Sequence, residues 1–175
     1  MPPAQEQAWQ LLTRLDQARV PWVLIGGQMM MLLCAEHQVL LPRPTLDADV
    51  LVDVRAMPGG LEVLARWLHG EGFELAGVSP DNIATSRFVR PVSPGPGNVS
   101  VDLLAPEGLG DRAWVFTVPP ARTVSVPASS GLISSAVAVP VTLAGGATDV
   151  VHRPTVLAAL VGKAAARVDP REGEP

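Results

Sequence analysis

The chain has 175 residues, enough for one domain with a substantial core, and 47% of them are hydrophobic. A net charge of −4 and a pI near 5.3 exclude the broad basic surface that holds a protein to nucleic acid, so any such contact is local. Mean hydropathy is +0.27, yet no run approaches about 18 apolar residues and the start lacks a basic-then-apolar leader, so a cytoplasmic protein without a membrane span is expected. Cys34 is the only cysteine, which excludes an intrachain disulfide and a cysteine-rich zinc site; its apolar neighbours place it in the core. Of the 13 basic residues only Lys163 is a lysine.

In chain order, Trp9, Leu12, Leu15 and Val20 recur near helical spacing and predict an amphipathic helix from Ala4 to Arg19, ended by Pro21. Trp22-Val-Leu-Ile-Gly26 is a short buried strand, and Gly26-Gly27 turns it into an apolar helix from Gln28 to Glu36, in which Met29, Met30 and Met31 are plastic core filling. After Pro42 and Pro44, a strand from Asp47 to Val54 sets Val50 and Val52 on the face opposite Asp47, Asp49 and Leu51. Asp53 reads as a solvated strand end. A helix from Gly60 to His69 closes on Gly70 and Gly72 and leads into a return strand.

The segments 85–92 and 98–104 alternate in hydrophobicity around the turn Pro94-Gly-Pro-Gly97, predicting a β-hairpin whose second strand puts Ser100, Asp102 and Leu104 on one face. The stretch 105–120 reads as irregular, with Trp114, Val115 and Phe116 needing burial. Prolines and glycines divide residues 122–151 into small strands and a short helix near Leu132. A helix from Thr155 to Val168 follows, with Pro154 at its start, Val156, Leu157, Leu160, Val161 and Ala164 along it, and Lys163 and Arg167 sharing an exposed face. Residues 169–175 should fray. No repeat or linker divides the chain, so a single domain, 1–175, is expected.

The chemistry concentrates in Asp47 and Asp49. Residues i and i+2 of a strand present two carboxylates side by side, and like charges so close raise one another's pKa. A divalent cation relieves that repulsion, and Mg²⁺ is held by one or two carboxylates together with substrate phosphates. Asp102 can join the pair from its own strand. His37, His69 and His152 are too scattered for a zinc motif.

The order Gly26-Gly27, Arg43-x-Thr45-x-Asp47-x-Asp49, Asp102 on a later strand and a Pro154-led helix with Lys163 and Arg167 resembles the polymerase-β-type nucleotidyltransferase superfamily, most nearly its AbiEii-like branch, over roughly residues 20–167. The resemblance implies an α+β fold with a nucleotidyltransferase-like mixed sheet flanked by helices. It implies that Gly26 and Gly27 receive the nucleotide phosphates at a helix N-terminus, that Asp47, Asp49 and Asp102 hold Mg²⁺ or Mn²⁺, and that Asp102 helps to activate the acceptor. Lys163 would offset phosphate charge, with Arg43, Thr45, Arg153 and Arg167 assisting. The implied activity moves an NMP from an NTP to a hydroxyl of tRNA or protein, in the setting of a toxin–antitoxin pair with a cognate antitoxin as partner. A different class fits the same residues: a catalytically inactive nucleotidyltransferase-like protein used for nucleotide sensing or protein association.

Overall fold

A computed structural model describes residues 3–40, 45–76, 87–109, 116–118 and 121–168. Its centre is a mixed sheet built from β1 (Trp22–Ile25), β2 (Asp47–Val52), β3 (Glu74–Leu75), β4 (Arg87–Pro91) and β5 (Asn98–Pro106), in the order β1-β2-β5-β4-β3. β2 and β5 run parallel; β1 against β2, β4 against β5 and β3 against β4 are antiparallel. The small pair β6 (Phe116–Val118) and β7 (Ala121–Arg122) stands apart, whereas β8 (Val124–Val126) extends the edge of β5 beyond β4. β9 (Ala136–Thr142) and β10 (Thr148–Pro154) form a separate hairpin. With its helices this is the expected α+β architecture, a mixed sheet flanked by helices.

The two faces of the sheet do different work because side chains alternate along each strand. One face contributes Leu24, Ala48, Val50, Val52, Val99, Val101, Leu103 and Ala105 to the main core. There they meet α1 (Pro3–Leu12), α2 (Gly26–Glu36) and α3 (Gly60–Gly70), whose Trp9, Leu12, Met29, Leu61, Leu64 and Leu68 are buried. The other face carries Ile25, Asp47, Asp49, Leu51, Asp102 and Leu104. Part of it forms a second, smaller core, where Val23, Ile25 and Leu51 pack with Leu132 of α4 (Ser129–Ser134) and Ala158 of α5 (Val156–Val168). The aspartates stand on the same face as this second core, Asp49 between Ile25 on β1 and Asp102 on β5.

Several local expectations are corrected. The first helix ends at Leu12, and the chain continues as a 3-10 turn over Leu15–Ala18, closed by Arg19 in the left-handed region. α2 begins two residues earlier than the sequence pattern suggests, at Gly26 itself. Pro154 ends β10 instead of opening α5. Phe116 begins a strand within the segment expected to be irregular. Cys34 is partly exposed near the end of α2.

α5 also packs the opposite way from an ordinary amphipathic helix. Ala159 and Gly162 face inward while Val156, Leu157, Leu160 and Val161 are exposed. The cause is steric: a Cβ on Gly162 would lie 2.9 Å from Leu132 Cδ2, so the small face alone lets α5 approach α4. Met29 is buried and Met30 and Met31 pack partly buried against the core, as core-filling residues should. Asp53 closes β2 by accepting the N–H groups of Arg55 and Ala56, each at 3.1 Å. Among the described residues no helix is long and apolar enough to cross a membrane.

Candidate active site

The sheet register brings the acidic residues together. Asp49 on β2 is the direct cross-strand partner of Asp102 on β5 and, on its other side, of Ile25 on β1. Asp47 lies two residues before Asp49, on the same face. Ile25 ends β1, and the next residue starts α2, so the N-terminus of that helix is delivered to Asp49 by strand pairing alone.

Gly26 is required at that junction. Its φ is +66°, and a Cβ there would fall within the Asp49 carboxylate. Asp49 also accepts the backbone N–H of Gly27, one of the unsatisfied donors of a helix N-terminus. This bond favours the ionised carboxylate, but burial opposes it more strongly. Burial first, then the charge of Asp102 and, less strongly, that of Asp47, push the Asp49 pKa up from 3.8 to about 6. Asp49 is thus an incompletely compensated acid, held where added positive charge would be most effective.

Thr45 serves this geometry through packing. Its methyl group abuts Gly27, where a side chain would collide with it, and its hydroxyl accepts the Asp47 N–H at 3.2 Å. Gln28, completely buried, donates to the Thr45 carbonyl at 2.9 Å. The buried Gln5 amide, turned so that its oxygen faces the Trp9 indole N–H at 3.0 Å, reaches the same carbonyl at 3.0 Å. Two helices thereby fix the chain as it enters β2. Gln5 and Gln28 escape sequence reading because a glutamine in an apolar helix carries no chemical motif.

Arg87 is the other residue missed. It lies opposite Asp102 in the β4–β5 register and grips it with two hydrogen bonds, Nη2 to Oδ2 at 2.8 Å and Nε to Oδ1 at 3.2 Å. The same Nη2 lies 3.9 Å from Asp47 Oδ2. Hydrogen bonding and charge from Asp102 raise the Arg87 pKa further, so the guanidinium is a permanent cation. Alternation over residues 85–92 predicts a strand, of which β4 covers Arg87–Pro91; only the register with β5 shows that Arg87 meets Asp102.

Lys163 comes from the far end of the sequence. With Gly26, Asp49, Ile25, Leu104 and Leu132 it lines a cavity of about 310 Å³ beside the carboxylates. Its wall is mostly apolar, with Lys163 and Asp49 as the charged groups. Arg167 lies exposed one turn further along α5. Arg153 is engaged elsewhere: it forms a fork with Glu36 at the C-terminal end of α2, with bonds of 2.6 and 2.7 Å, away from the Gly-Gly turn. Arg43 lies outside the described residues. Of the histidines, His152 contacts Asp16 at 3.2 Å and His69 contacts the Phe73 carbonyl at 3.0 Å.

The donors suit a hard divalent cation only in part. Asp47 and Asp49 present carboxylate oxygens whose mutual repulsion such an ion would remove, and Asp47 is half-exposed towards solvent. Asp102, expected to complete a second metal site, is instead held by Arg87. Among the described residues no three His, Cys, Asp or Glu side chains are grouped to hold a metal ion. A Mg²⁺ held by Asp47 and Asp49 would need oxygens from its substrate and water.

No protein-family model and no curated protein matches the chain. Among solved structures it is similar to that of the antibiotic-resistance factor ANT(2'')-Ia, with 16% identity and a TM-score of 0.45, over 100% of this chain and 78% of that one.

Proposed function

We propose that the chain is a metal-dependent nucleotidyltransferase of the polymerase-β-type superfamily, in its AbiEii-like branch, which moves an NMP from an NTP to a hydroxyl of tRNA or protein. A toxin role, balanced by a cognate antitoxin, belongs to the same proposal. The observation carrying it is the meeting of Gly26, Asp49 and Lys163 on one cavity, from three distant segments of the chain. Lys163 alone would be an ordinary surface lysine; beside Asp49 and a helix N-terminus it completes a place for an anion that travels with a metal ion.

In this reading Asp47 and Asp49 hold Mg²⁺ or Mn²⁺, and Lys163 offsets charge on the phosphates. When bound, the metal neutralises the triphosphate and withdraws charge as pyrophosphate leaves. The acceptor oxygen forms a bond to the α-phosphorus, the bond to the pyrophosphate oxygen breaks, and the hydroxyl proton passes to water. The mostly apolar wall of the cavity lowers the local dielectric beside Asp49 and so strengthens electrostatic contacts there.

The second reading, nucleotide sensing or protein association without turnover, is favoured by one observation: Asp102 is held by Arg87. Calorimetric titration with Mg²⁺ and each NTP addresses what both readings share. Lys163→Ala should weaken triphosphate binding about tenfold, the effect of one charge-assisted contact, while leaving the fold intact because Lys163 is exposed. Failure of every NTP to bind wild type would contradict nucleotidyl transfer and nucleotide sensing and leave protein association; binding without transfer would select sensing.

A further inference from the structure

We infer that Arg87 is a resident cation standing in for a second metal ion, so that the site takes one divalent ion, at Asp47 and Asp49, and keeps the guanidinium at Asp102. The inference rests on the metal-dependent reading above and specifies how that site is charged. Its basis is the position of one nitrogen. Arg87 Nη2 is 2.8 Å from Asp102 Oδ2 and 3.9 Å from Asp47 Oδ2, so it lies between carboxylates of two adjacent strands as a bridging metal ion would.

The contact is built into the sheet. Arg87 and Asp102 are direct partners in an antiparallel register, and the guanidinium meets the carboxylate through two donors instead of one. Asp102 is buried, and Arg87 is half-exposed. Releasing Asp102 to a metal ion would require moving a cation out of this fork while a second cation arrived, and the two would repel. The absence of a three-carboxylate group among the described residues agrees with this division of the acidic groups.

The arrangement has a chemical consequence. A guanidinium can neutralise charge and orient a phosphate or carboxylate through its fork, but it cannot lower the pKa of a bound water or hydroxyl as a metal ion does. Arg87 is therefore a positioning residue for Asp102 and a fixed positive charge in the cleft. It is not an activator of the acceptor.

Mn²⁺ provides the probe, counted per chain by electron paramagnetic resonance, alone and with the α,β-methylene analogues of ATP, CTP, GTP and UTP. Wild type should saturate at one ion, and Arg87→Lys, which keeps a cation, should do the same. Arg87→Met should gain a second ion, with the first still bound. Asp102→Asn should bind one ion, and adding Arg87→Met to that background should add none, which ties the extra ion to Asp102. Two ions on wild type, or one on a folded Arg87→Met chain, would overturn the inference while leaving the metal reading intact. No Mn²⁺ on wild type with or without any analogue would overturn both.

Discussion

Asp49 is where burial of a carboxylate works against the stability of the fold. Its pKa of about 6 means that the folded state holds a proton more tightly than the unfolded chain, whose value is 3.8. Between those values the native state binds more protons, so the stability of the metal-free protein should fall as pH rises from about 4 to about 6 and then level off. At neutral pH the ionised carboxylate should cost about 1–3 kcal/mol. Asp49→Asn should recover much of that in urea unfolding with chelator present, while losing metal binding. Unchanged or reduced stability would show that Asp49 is fully compensated by Gly27. Gly26→Ala should destabilise by at least about 1–3 kcal/mol, the cost of a left-handed non-glycine residue, before the displaced carboxylate is considered. Both values follow from unfolding curves at fixed pH.

At the scale of elements, the strands deliver the chemistry and buried polar contacts hold it in register. Gln28→Leu should cost about 1–3 kcal/mol, because it removes one of the two amide donors to the Thr45 carbonyl and a donor to the Gln5 oxygen in the core. It should also weaken Mn²⁺ binding without touching a carboxylate, by loosening the entry to β2. A variant that unfolds earlier but binds Mn²⁺ normally would confine Gln28 to stability. The sequence made β1, β2 and the hairpin of β4 and β5 legible through alternation and turn residues, and the faces it assigned to Val50, Asp49 and Asp102 are those observed. It placed α5 and the exposed face of Lys163 and Arg167 as observed, but could not show that Ala159 and Gly162 form the buried face, because periodicity does not reveal that Gly162 needs close contact with Leu132. It could not foresee Arg87, because pairing between β4 and β5 is a property of register. Pro154 misled for a similar reason: a proline suits the end of β10 as well as the first turn of a helix.

Across the whole molecule, one sheet separates two tasks. The face with Val50, Val101 and Leu103 carries the main core, while on the opposite face Val23, Ile25 and Leu51 pack against α4 and α5. The rest of that face holds Asp47, Asp49, Asp102 and Arg87, and α5 returns Lys163 to the cavity that Asp49 lines. A nucleotidyl transfer there would sever the nucleotide between the α- and β-phosphates, and this outcome distinguishes it from phosphoryl transfer and from mere binding. The most direct measurement uses two sets of NTPs, labelled at the α- or the γ-phosphate, with Mg²⁺ or Mn²⁺ and total RNA or cell lysate as acceptor. With wild type, α-label should enter an RNA or protein acceptor and γ-label should appear only in pyrophosphate; Asp47→Ala should do neither. Transfer of γ-label to the acceptor, or failure of wild type to transfer α-label from any NTP, would contradict the assignment.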